Sequence, residues 1–177
     1  ESTPADYQFW YIDLSMVKAG TVEFPKEQIK FSDAPSRARR VITKGDITMS
    51  MVRPNLLGFA QWPNDVHDVI CSTGFAVIRT SGAFGPFTYQ WLYSDVVAHY
   101  FHECIDGTGY PALNPGDVEL IPLPLPSLDE QRQIACIMEV ADREILLLEK
   151  KIAAERELKK GLMQKLLADC PIFEESK

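Results

Sequence analysis

The chain lacks the features that mark membrane-spanning and secreted proteins. Its 177 residues contain no run of roughly 18 or more apolar residues, which excludes a transmembrane helix. The first residues do not form the charged and then apolar pattern of a secretory signal. The cysteines are scattered without a CxxC pair, as is typical of reduced thiols in a cytoplasmic protein. They are Cys71, Cys104, Cys136 and Cys170. We therefore expect a cytoplasmic protein without a membrane span.

Positive charge is also scarce. The chain has 18 lysine and arginine residues against 25 aspartate and glutamate residues, which gives a formal net charge of -7. This is the wrong sign for a generic nucleic-acid binder, whose affinity comes from neutralising phosphates. If the protein reads DNA, we expect it to use a local basic face or a more basic partner. The remaining composition, 46% hydrophobic and 24% charged, is that of an ordinary globular protein.

The common signatures of DNA-modifying and nucleotide-binding enzymes are missing. The Asn-Pro-Gly string at residues 114–116 lacks the second proline and the aromatic residue of an amino-methyltransferase motif. No Pro-Asp dipeptide begins a nuclease motif, and no glycine pattern suits a nucleotide phosphate. His99, His102 and Cys104 form the densest metal-like cluster, but a structural zinc needs four ligands and no second pair lies nearby. We predict no enzymatic activity, no cofactor and no metal site.

Residues 1–125 have the texture of a compact mixed α/β domain. Short alternating runs at residues 47–52 and 75–78 predict β-strands, and a turn-rich stretch lies between them at residues 61–65. Residues 88–104 predict one helix. The apolar residues spaced for burial on it are Trp91, Leu92, Val96, Val97 and Phe101. Together with the segment that follows, this predicts an α+β protein.

Residues 126–168 predict one long coiled-coil helix. Ser127 and Glu130 have the spacing of a capping box, and prolines hold the chain extended before them. Apolar residues then repeat in the a/d pattern of a coiled coil. This seam consists of Ile134, Met138, Ala141, Ile145, Leu148 and Ile152 and, after an interruption, Leu162 and Leu166. A helix of this length is roughly 60 Å long, so part of its seam should meet another helix rather than its own domain. The alternative is a helix that packs back on the domain.

A basic cluster offers the local face that DNA contact would need. Seven lysine or arginine residues lie between Lys26 and Arg53, against three acidic residues. Arginine suits phosphates and guanine edges, and Arg53 stands close to Asn55, an adenine-type reader. The candidate DNA contacts are Arg37, Arg39, Arg40, Lys44, Arg53 and Asn55, with Thr108 and Tyr110 in a glycine-rich loop. The structural alternatives are a solvated turn or internal salt bridges for the arginines, an Asn-capped turn at Arg53 and a plain turn at Tyr110.

Six segments carry a resemblance to a known family. The most specific is residues 122–135, the proline-rich stretch that leads into the capping box. The others are residues 34–40, 44–47, 52–55, 107–113 and 158–167. Together they resemble the DNA specificity subunits of type I restriction–modification systems.

The resemblance implies a non-catalytic target recognition domain at residues 1–125, a spacer and dimerisation helix at 126–168, and a tail at 169–177. Full subunits of this family pair two recognition domains through two antiparallel helices and dock DNA methyltransferase (modification) subunits, and through them a restriction subunit. This sequence contains one domain and one helix. It is therefore either a half-subunit that forms a homodimer and reads an interrupted palindrome in double-stranded DNA, or a fragment. A coiled-coil adaptor without DNA binding and the recognition region of a fused restriction–methylation enzyme are the alternatives.

Overall fold

The structure is a computed structural model that describes residues 3–18, 20–62, 67–105, 109 and 111–168. It divides into two units, Glu1–Ala135 and Cys136–Lys177. The strands, all in the first unit, are β1 (Gln8–Ile12), β2 (Val17–Lys18), β3 (Thr21–Val22), β4 (Ile29–Lys30), β5 (Ala38–Ile42), β6 (Ile47–Ser50), β7 (Phe59–Gln61), β8 (Val69–Ser72) and β9 (Phe75–Ile78). The helices are α1 (Gly85–Trp91), α2 (Asp95–Ile105), α3 (Pro115–Glu119) and α4 (Leu128–Ala168). The α+β fold class expected from the sequence is confirmed.

A four-stranded sheet in the order β4-β1-β8-β5 forms one layer of the first unit. Strands β1 and β8 are parallel, whereas the two outer strands run antiparallel to their neighbours. In β5, Ala38 and Ile42 are buried while Arg39 and Val41 are exposed, as the period of two requires. The buried residues that this sheet contributes include Ile12, Ile42, Val69 and Cys71. The sheet therefore presents β5 at one edge, and the predicted contacts Arg39 and Arg40 lie on β5.

A three-stranded antiparallel sheet in the order β7-β6-β9 holds the second core. All four residues of its central strand β6 are buried. The buried hydroxyl of Thr48 is paired, since its Oγ accepts a 2.9 Å hydrogen bond from the Trp62 indole. The strand predicted for residues 47–52 ends at Ser50, because the backbone of residues 51 and 52 pairs instead with Gly74 and with residues 112–113. The strand predicted for residues 75–78 is confirmed as β9.

The helical stretch predicted for residues 88–104 is two helices, α1 and α2. The break occurs at residues 92–94, where Ser94 Oγ accepts a 3.4 Å hydrogen bond from the Val97 backbone N–H and starts the second helix. Because α2 starts anew after this break, its buried face does not continue the helical periodicity of α1. Leu92, Val97 and Phe101 are buried as expected, but the expected burial of Val96 is wrong, because its side chain is 51% exposed.

The long C-terminal helix predicted from the sequence is confirmed as α4, a continuous helix of 41 residues. The capping box is also present: Ser127 N–H donates to Glu130 Oε2 at 2.9 Å, and Glu130 N–H donates to Ser127 Oγ at 3.4 Å. The first unit extends through Ala135, and Gln131 and Ala135 are buried within it. None of the helices in the described part of the chain has the length and apolar character required to span a bilayer.

Candidate nucleic-acid interface

The basic side chains on and next to strand β5 differ in their exposure. Its register against β8 shifts between Ala38 and Arg40, so that Arg39 is the extra residue of a β-bulge. A bulge bends its strand and redirects the side chains around it. Arg37 and Arg39 are exposed, and Arg39 Nε donates a 2.9 Å hydrogen bond to the Ser36 carbonyl oxygen. The bulge thus holds the stem of Arg39 close to the backbone while its side chain remains at the surface.

Arg40 points in a different direction from Arg37 and Arg39. It is half-buried and stands opposite Cys71 in the register of β5 and β8. Its Nε is buried and has no hydrogen-bond partner among the described residues. Burial raises the pKa of the Cys71 thiol to about 12, and the nearby charge of Arg40 opposes that rise. The stem of Arg40 therefore lies against the sheet interior, unlike the exposed side chains of Arg37 and Arg39.

Ion pairing within the domain does not account for the predicted basic contacts. In the described ranges, the salt bridges are Arg79–Asp46, His99–Glu103 and Arg132–Asp129. None of them includes an arginine of the basic cluster. Arg37 lies close enough to the Tyr11 phenol to oppose the rise in its pKa, which burial and the Asp13 charge produce. Exposed Arg37 and Arg39 therefore keep their positive charge at the surface.

Arg53 and Asn55 lie on one sharply bent turn. A 3₁₀ turn, Pro54–Leu56, is flanked by Arg53 and Leu57, both in the left-handed conformation with φ values of 50° and 53°. Non-glycine residues rarely adopt this conformation, and it costs roughly 1–2 kcal/mol for each of them. Buried Pro54 anchors the turn, whereas the side chains of Arg53 and Asn55 are exposed. The fold thus tolerates an unfavourable backbone conformation that holds these two polar residues at the surface.

The segment that follows the glycine-rich loop predicted to contact DNA pairs with this turn. Thr108 and Tyr110 lie outside the described residues. The adjoining Pro111 accepts a 2.8 Å hydrogen bond from the Arg53 backbone N–H through its carbonyl oxygen. One residue further, Val52 and Ala112 form an isolated β-bridge. The fold therefore brings the turn that carries Arg53 together with the chain that leaves the loop, although the two are far apart in the sequence.

Lys44 lies beside an ion pair between buried Asp46 and exposed Arg79 that the sequence did not reveal. Asp46 is 1% exposed, and both of its oxygens accept hydrogen bonds from Arg79, from Nε at 2.8 Å and from Nη2 at 2.7 Å. Thr43 donates to the same carboxylate through its backbone N–H at 2.7 Å and its hydroxyl at 2.9 Å. Burial favours the neutral acid, but these hydrogen bonds and the charge of Arg79 outweigh it and lower the pKa of Asp46. Asp46 is therefore ionised at neutral pH.

A groove of about 590 Å³ opens beside this pair. Side chains of both polar and aromatic character line it. They include Lys44, Asp46, Gln61, Trp62, Arg79 and Phe84. The sequence signal for this site was the Lys-Gly-Asp turn at residues 44–46, which gave no indication that an arginine 33 residues away would complete it.

Gln131 connects the wall of this groove to the first turn of α4. Its Oε1 accepts a 2.8 Å hydrogen bond from the Phe84 backbone N–H, and its Nε2 donates at 2.8 Å to the Pro126 carbonyl oxygen. The side chain is 2% exposed. Gln131 lies within one of the segments that resemble the family, but the sequence predicts no contact for its side chain. The structure makes it the polar anchor of the helix start.

The residues considered as metal ligands make a different contact. His99 Nε2 lies 3.5 Å from Glu103 Oε1, one helical turn away, and both side chains are exposed. Among the residues that the structure describes, no three His, Cys, Asp or Glu side chains are grouped to hold a metal ion.

The seam residues predicted on α4 are uncovered in the chain. Every residue from 136 to 167 is exposed. On the seam, Met138 is 46%, Ile145 54%, Leu148 60% and Ile152 51% exposed, and Ile134, Leu162 and Leu166 are exposed as well. Exposed leucine and isoleucine side chains in such a row are typical of a surface that pairs with another helix.

Comparison with known proteins covers both the domain and the helix. The family described as the type I restriction modification DNA specificity domain matches residues 9–157. The chain is 30% identical over 118 residues to the HindI specificity subunit of Haemophilus influenzae, covering 64% of this chain and 26% of that protein. It is 43% identical over 60 residues to the MjaVIII specificity subunit of Methanocaldococcus jannaschii, covering 34% of this chain and 14% of that protein.

Solved structures resemble almost the whole chain. The HsdS subunit from Thermoanaerobacter tengcongensis superposes with a TM-score of 0.73 at 32% identity, covering 98% of this chain and 46% of that one. A chain from a study of complex assembly and conformational transition of the type I restriction–modification system superposes with a TM-score of 0.77 at 32% identity and the same coverage. The chain thus spans less than half the length of each of these relatives.

Proposed function

Because the chain belongs to the family of type I restriction–modification DNA specificity domains, we propose that it is a non-catalytic recognition subunit that forms a homodimer. Each domain reads one half of a split site in double-stranded DNA. The dimer directs a DNA methyltransferase subunit, and through it a restriction subunit, to that site. It does so in the cytoplasm, where those partners and the DNA are present.

The uncovered seam of α4 is the observation that carries the homodimer. The chain has one recognition domain and one helix, where the solved relatives are more than twice as long. Its seam residues, such as Ile145 and Leu148, are more than half exposed. A second copy, paired antiparallel along this seam, covers them and supplies the second recognition domain by two-fold symmetry. Identical domains related in this way read identical half-sites in opposite directions, so the target is an interrupted palindrome.

We choose the residues proposed to face DNA by the exposure of their side chains and by whether a described acid pairs with them. Arg37, Arg39 and Lys44 are exposed and carry positive charge that no described acid neutralises in a salt bridge. They suit phosphates. Arg53 and Asn55, presented together on a strained turn, suit base edges, since Arg can bond guanine and Asn can bond adenine through two hydrogen bonds each. Thr108 and Tyr110 contribute from the loop that ends beside this turn. Arg40, whose stem faces the sheet, has a smaller part.

Selection from a random duplex library tests recognition, and light scattering tests assembly. The expected results are one enriched motif with two inverted halves and a solution mass near twice 20.0 kDa. A stable monomer across concentrations removes the homodimer. A dimer that enriches no sequence removes DNA recognition and leaves a coiled-coil adaptor.

A comparison of two arginine variants separates the predicted roles. Arg39→Ala should weaken binding to the selected and the scrambled duplex alike, because a phosphate contact carries no sequence information. Arg53→Ala should weaken binding to the selected duplex more, by about 1–3 kcal/mol. Unchanged binding in both variants takes the basic cluster out of the interface.

A further inference from the structure

The guanidinium of Arg79 is held in one orientation by a buried carboxylate. Arg79 contacts Asp46 side-on, through Nε and Nη2, at 2.8 and 2.7 Å. This geometry directs the two N–H groups of Nη1 and the outer N–H of Nη2 away from Asp46. The side chain of Arg79 is 63% exposed, whereas that of Asp46 is 1% exposed. Asp46 therefore fixes a planar set of donors at the surface without being reachable itself.

These donors open on a groove with an excess of positive charge. Lys44 and Arg79 line the groove together with one acid, Asp46, which is already bonded to Arg79. The Arg132 guanidinium carbon lies 6.0 Å from the ring centroid of Phe84, another residue of the wall, but Arg132 is paired with Asp129 and is not counted in this excess. Half-buried Gln61 adds an amide. The groove, about 590 Å³ in volume, is large enough for a phosphate and its neighbouring sugar.

We propose that this groove binds a backbone phosphate of duplex DNA, with Arg79 as the contacting fork, Lys44 as a second cation and Asp46 as the positioning residue. The inference rests on the proposed DNA recognition and adds a contact, Arg79, that lies outside the predicted cluster. A phosphate oxygen pair accepts the two parallel N–H bonds that a fixed guanidinium offers. Because Asp46 holds the fork in place before binding, less side-chain entropy is lost when the phosphate arrives.

The position of the groove lets a phosphate contact orient the protein on DNA. Phosphate contacts fix the register and orientation of a protein on the duplex. Phe84 in the wall is hydrogen-bonded to Gln131 in the first turn of α4, at 2.8 Å. A phosphate held here is therefore positioned relative to the start of the helix as well as to the β5–β6 turn that carries Lys44.

The salt dependence of binding to a non-specific duplex tests the contact. Each lost phosphate contact reduces the slope of log affinity against log salt concentration by about 0.9. Arg79→Gln and Lys44→Gln should each show this reduction, so that each loses about 3.5-fold less affinity than the unmodified protein between roughly 50 and 200 mM salt. Lys18→Gln removes an equal charge from an exposed side chain on β2, outside the groove, and should keep the original slope.

Asp46→Asn distinguishes positioning from general electrostatics. This variant removes one negative charge, so nonspecific attraction alone would strengthen DNA binding. If Asp46 positions Arg79, the folded variant binds more weakly, and circular dichroism at the same temperature verifies that it is folded. Tighter binding by the folded variant would contradict the positioning role.

The salt series also separates this inference from the function on which it rests. If the unmodified protein binds duplex DNA with a salt-dependent affinity, but Arg79→Gln and Lys44→Gln keep its slope, the groove is not a phosphate site and DNA recognition stands. An equal loss in Lys18→Gln also overturns the groove site. If the unmodified protein does not bind duplex DNA, both proposals fail. Lys44 is exposed, so Lys44→Gln still tests the site even if Arg79→Gln does not fold.

Discussion

The Phe84 backbone N–H and the Gln131 side chain are joined by a 2.8 Å hydrogen bond, although 47 residues separate them in the sequence. The same side chain donates to the Pro126 carbonyl oxygen at 2.8 Å. The Gln131 side chain is 2% exposed, whereas Phe84 and Pro126 are half-buried. One amide thus pairs a backbone donor just before α1 with a backbone acceptor just before α4, and so fixes the start of the long helix to the domain.

We expect Gln131→Ala to destabilise the domain. It leaves the half-buried Phe84 N–H and Pro126 carbonyl without their partner, and the loss of such hydrogen bonds costs about 1 kcal/mol. The free energy of unfolding from urea titration measures the effect. Gln131→Glu keeps an acceptor for Phe84 but loses the amide donor for Pro126, so it should not restore full stability.

Gln133→Ala is the matched control, since Gln133 is exposed two residues further along the same helix. Its unfolding free energy should differ from that of the unmodified protein by less than about 0.5 kcal/mol. Because alanine favours the helix more than glutamine does, equal losses in Gln131→Ala and Gln133→Ala would contradict the anchor and point to a general effect on the start of α4.

A shift to acid pH should remove the contribution that Asp46 makes to the free energy of unfolding. Its folded pKa is lowered below the ordinary value of 3.8, because the hydrogen bonds from Arg79 and Thr43 outweigh burial. A carboxylate with a lowered folded pKa contributes stability that is present above the unfolded pKa and disappears as pH falls through the folded one. We expect Asp46→Asn to cost about 1–2 kcal/mol at neutral pH, since solvent screens exposed Arg79.

The difference in unfolding free energy between the unmodified protein and Asp46→Asn should therefore stay constant at neutral pH and shrink below about pH 4. Asp129→Asn removes an exposed carboxylate that pairs with exposed Arg132 in the first turn of α4, and it should cost less, about 0.3–1 kcal/mol at neutral pH. A difference for Asp46→Asn that stays constant down to strongly acid pH would show that its hydrogen bonds, not its charge, matter.

Local signals in the sequence predicted the secondary-structure elements. The contacts between residues far apart in the sequence could not be predicted in this way. The strand at residues 75–78 and the capping box of Ser127 and Glu130 are encoded within a few positions, and both are confirmed. The pairing of Asp46 with Arg79 joins residues 33 apart and has no local pattern. The one helix predicted for residues 88–104 divides at Ser94, because the Ser94 side chain caps the start of α2. The spacing of the apolar residues gave no sign of this cap.

Alternation along β5 accounts for the difference between the two neighbouring arginines. Ala38 and Ile42 are buried and Val41 is exposed, so Arg39 lies on the exposed face of the strand and Arg40 on the face that turns inward. The exposure of Arg39 and the burial of the Arg40 Nε therefore follow from the period of two along the strand. The register shift between Ala38 and Arg40 could not be predicted, because it depends on pairing with the distant strand β8.

The turn at Arg53 permits a test that separates backbone strain from side-chain contact. Arg53 has φ of 50°, which glycine adopts without cost and alanine does not. Arg53→Gly should be more stable than Arg53→Ala by about 0.5–1 kcal/mol, as measured by urea unfolding. If the guanidinium reads a base, both variants lose the same affinity for the selected duplex. Full affinity in Arg53→Gly would show that the shape of the turn is sufficient.

Pairing of α4 along its seam predicts a position-dependent response to charge. Ile145→Glu places a carboxylate in the seam of each copy, and burying two like charges opposes association. The variant should behave as a monomer at concentrations where the unmodified protein has twice its mass of 20.0 kDa, as measured by light scattering.

Leu147→Glu is the control that makes this test decisive. Leu147 is 60% exposed and Ile145 is 54% exposed, so the two substitutions meet similar surroundings in a single chain. Two residues along an α-helix differ by roughly 200° in direction, which puts Leu147 outside the seam. Any general effect on α4, such as a change in helix propensity or solubility, acts on both variants. A dimer that survives Leu147→Glu but not Ile145→Glu therefore identifies the seam, and loss of the dimer in both assigns assembly to another surface.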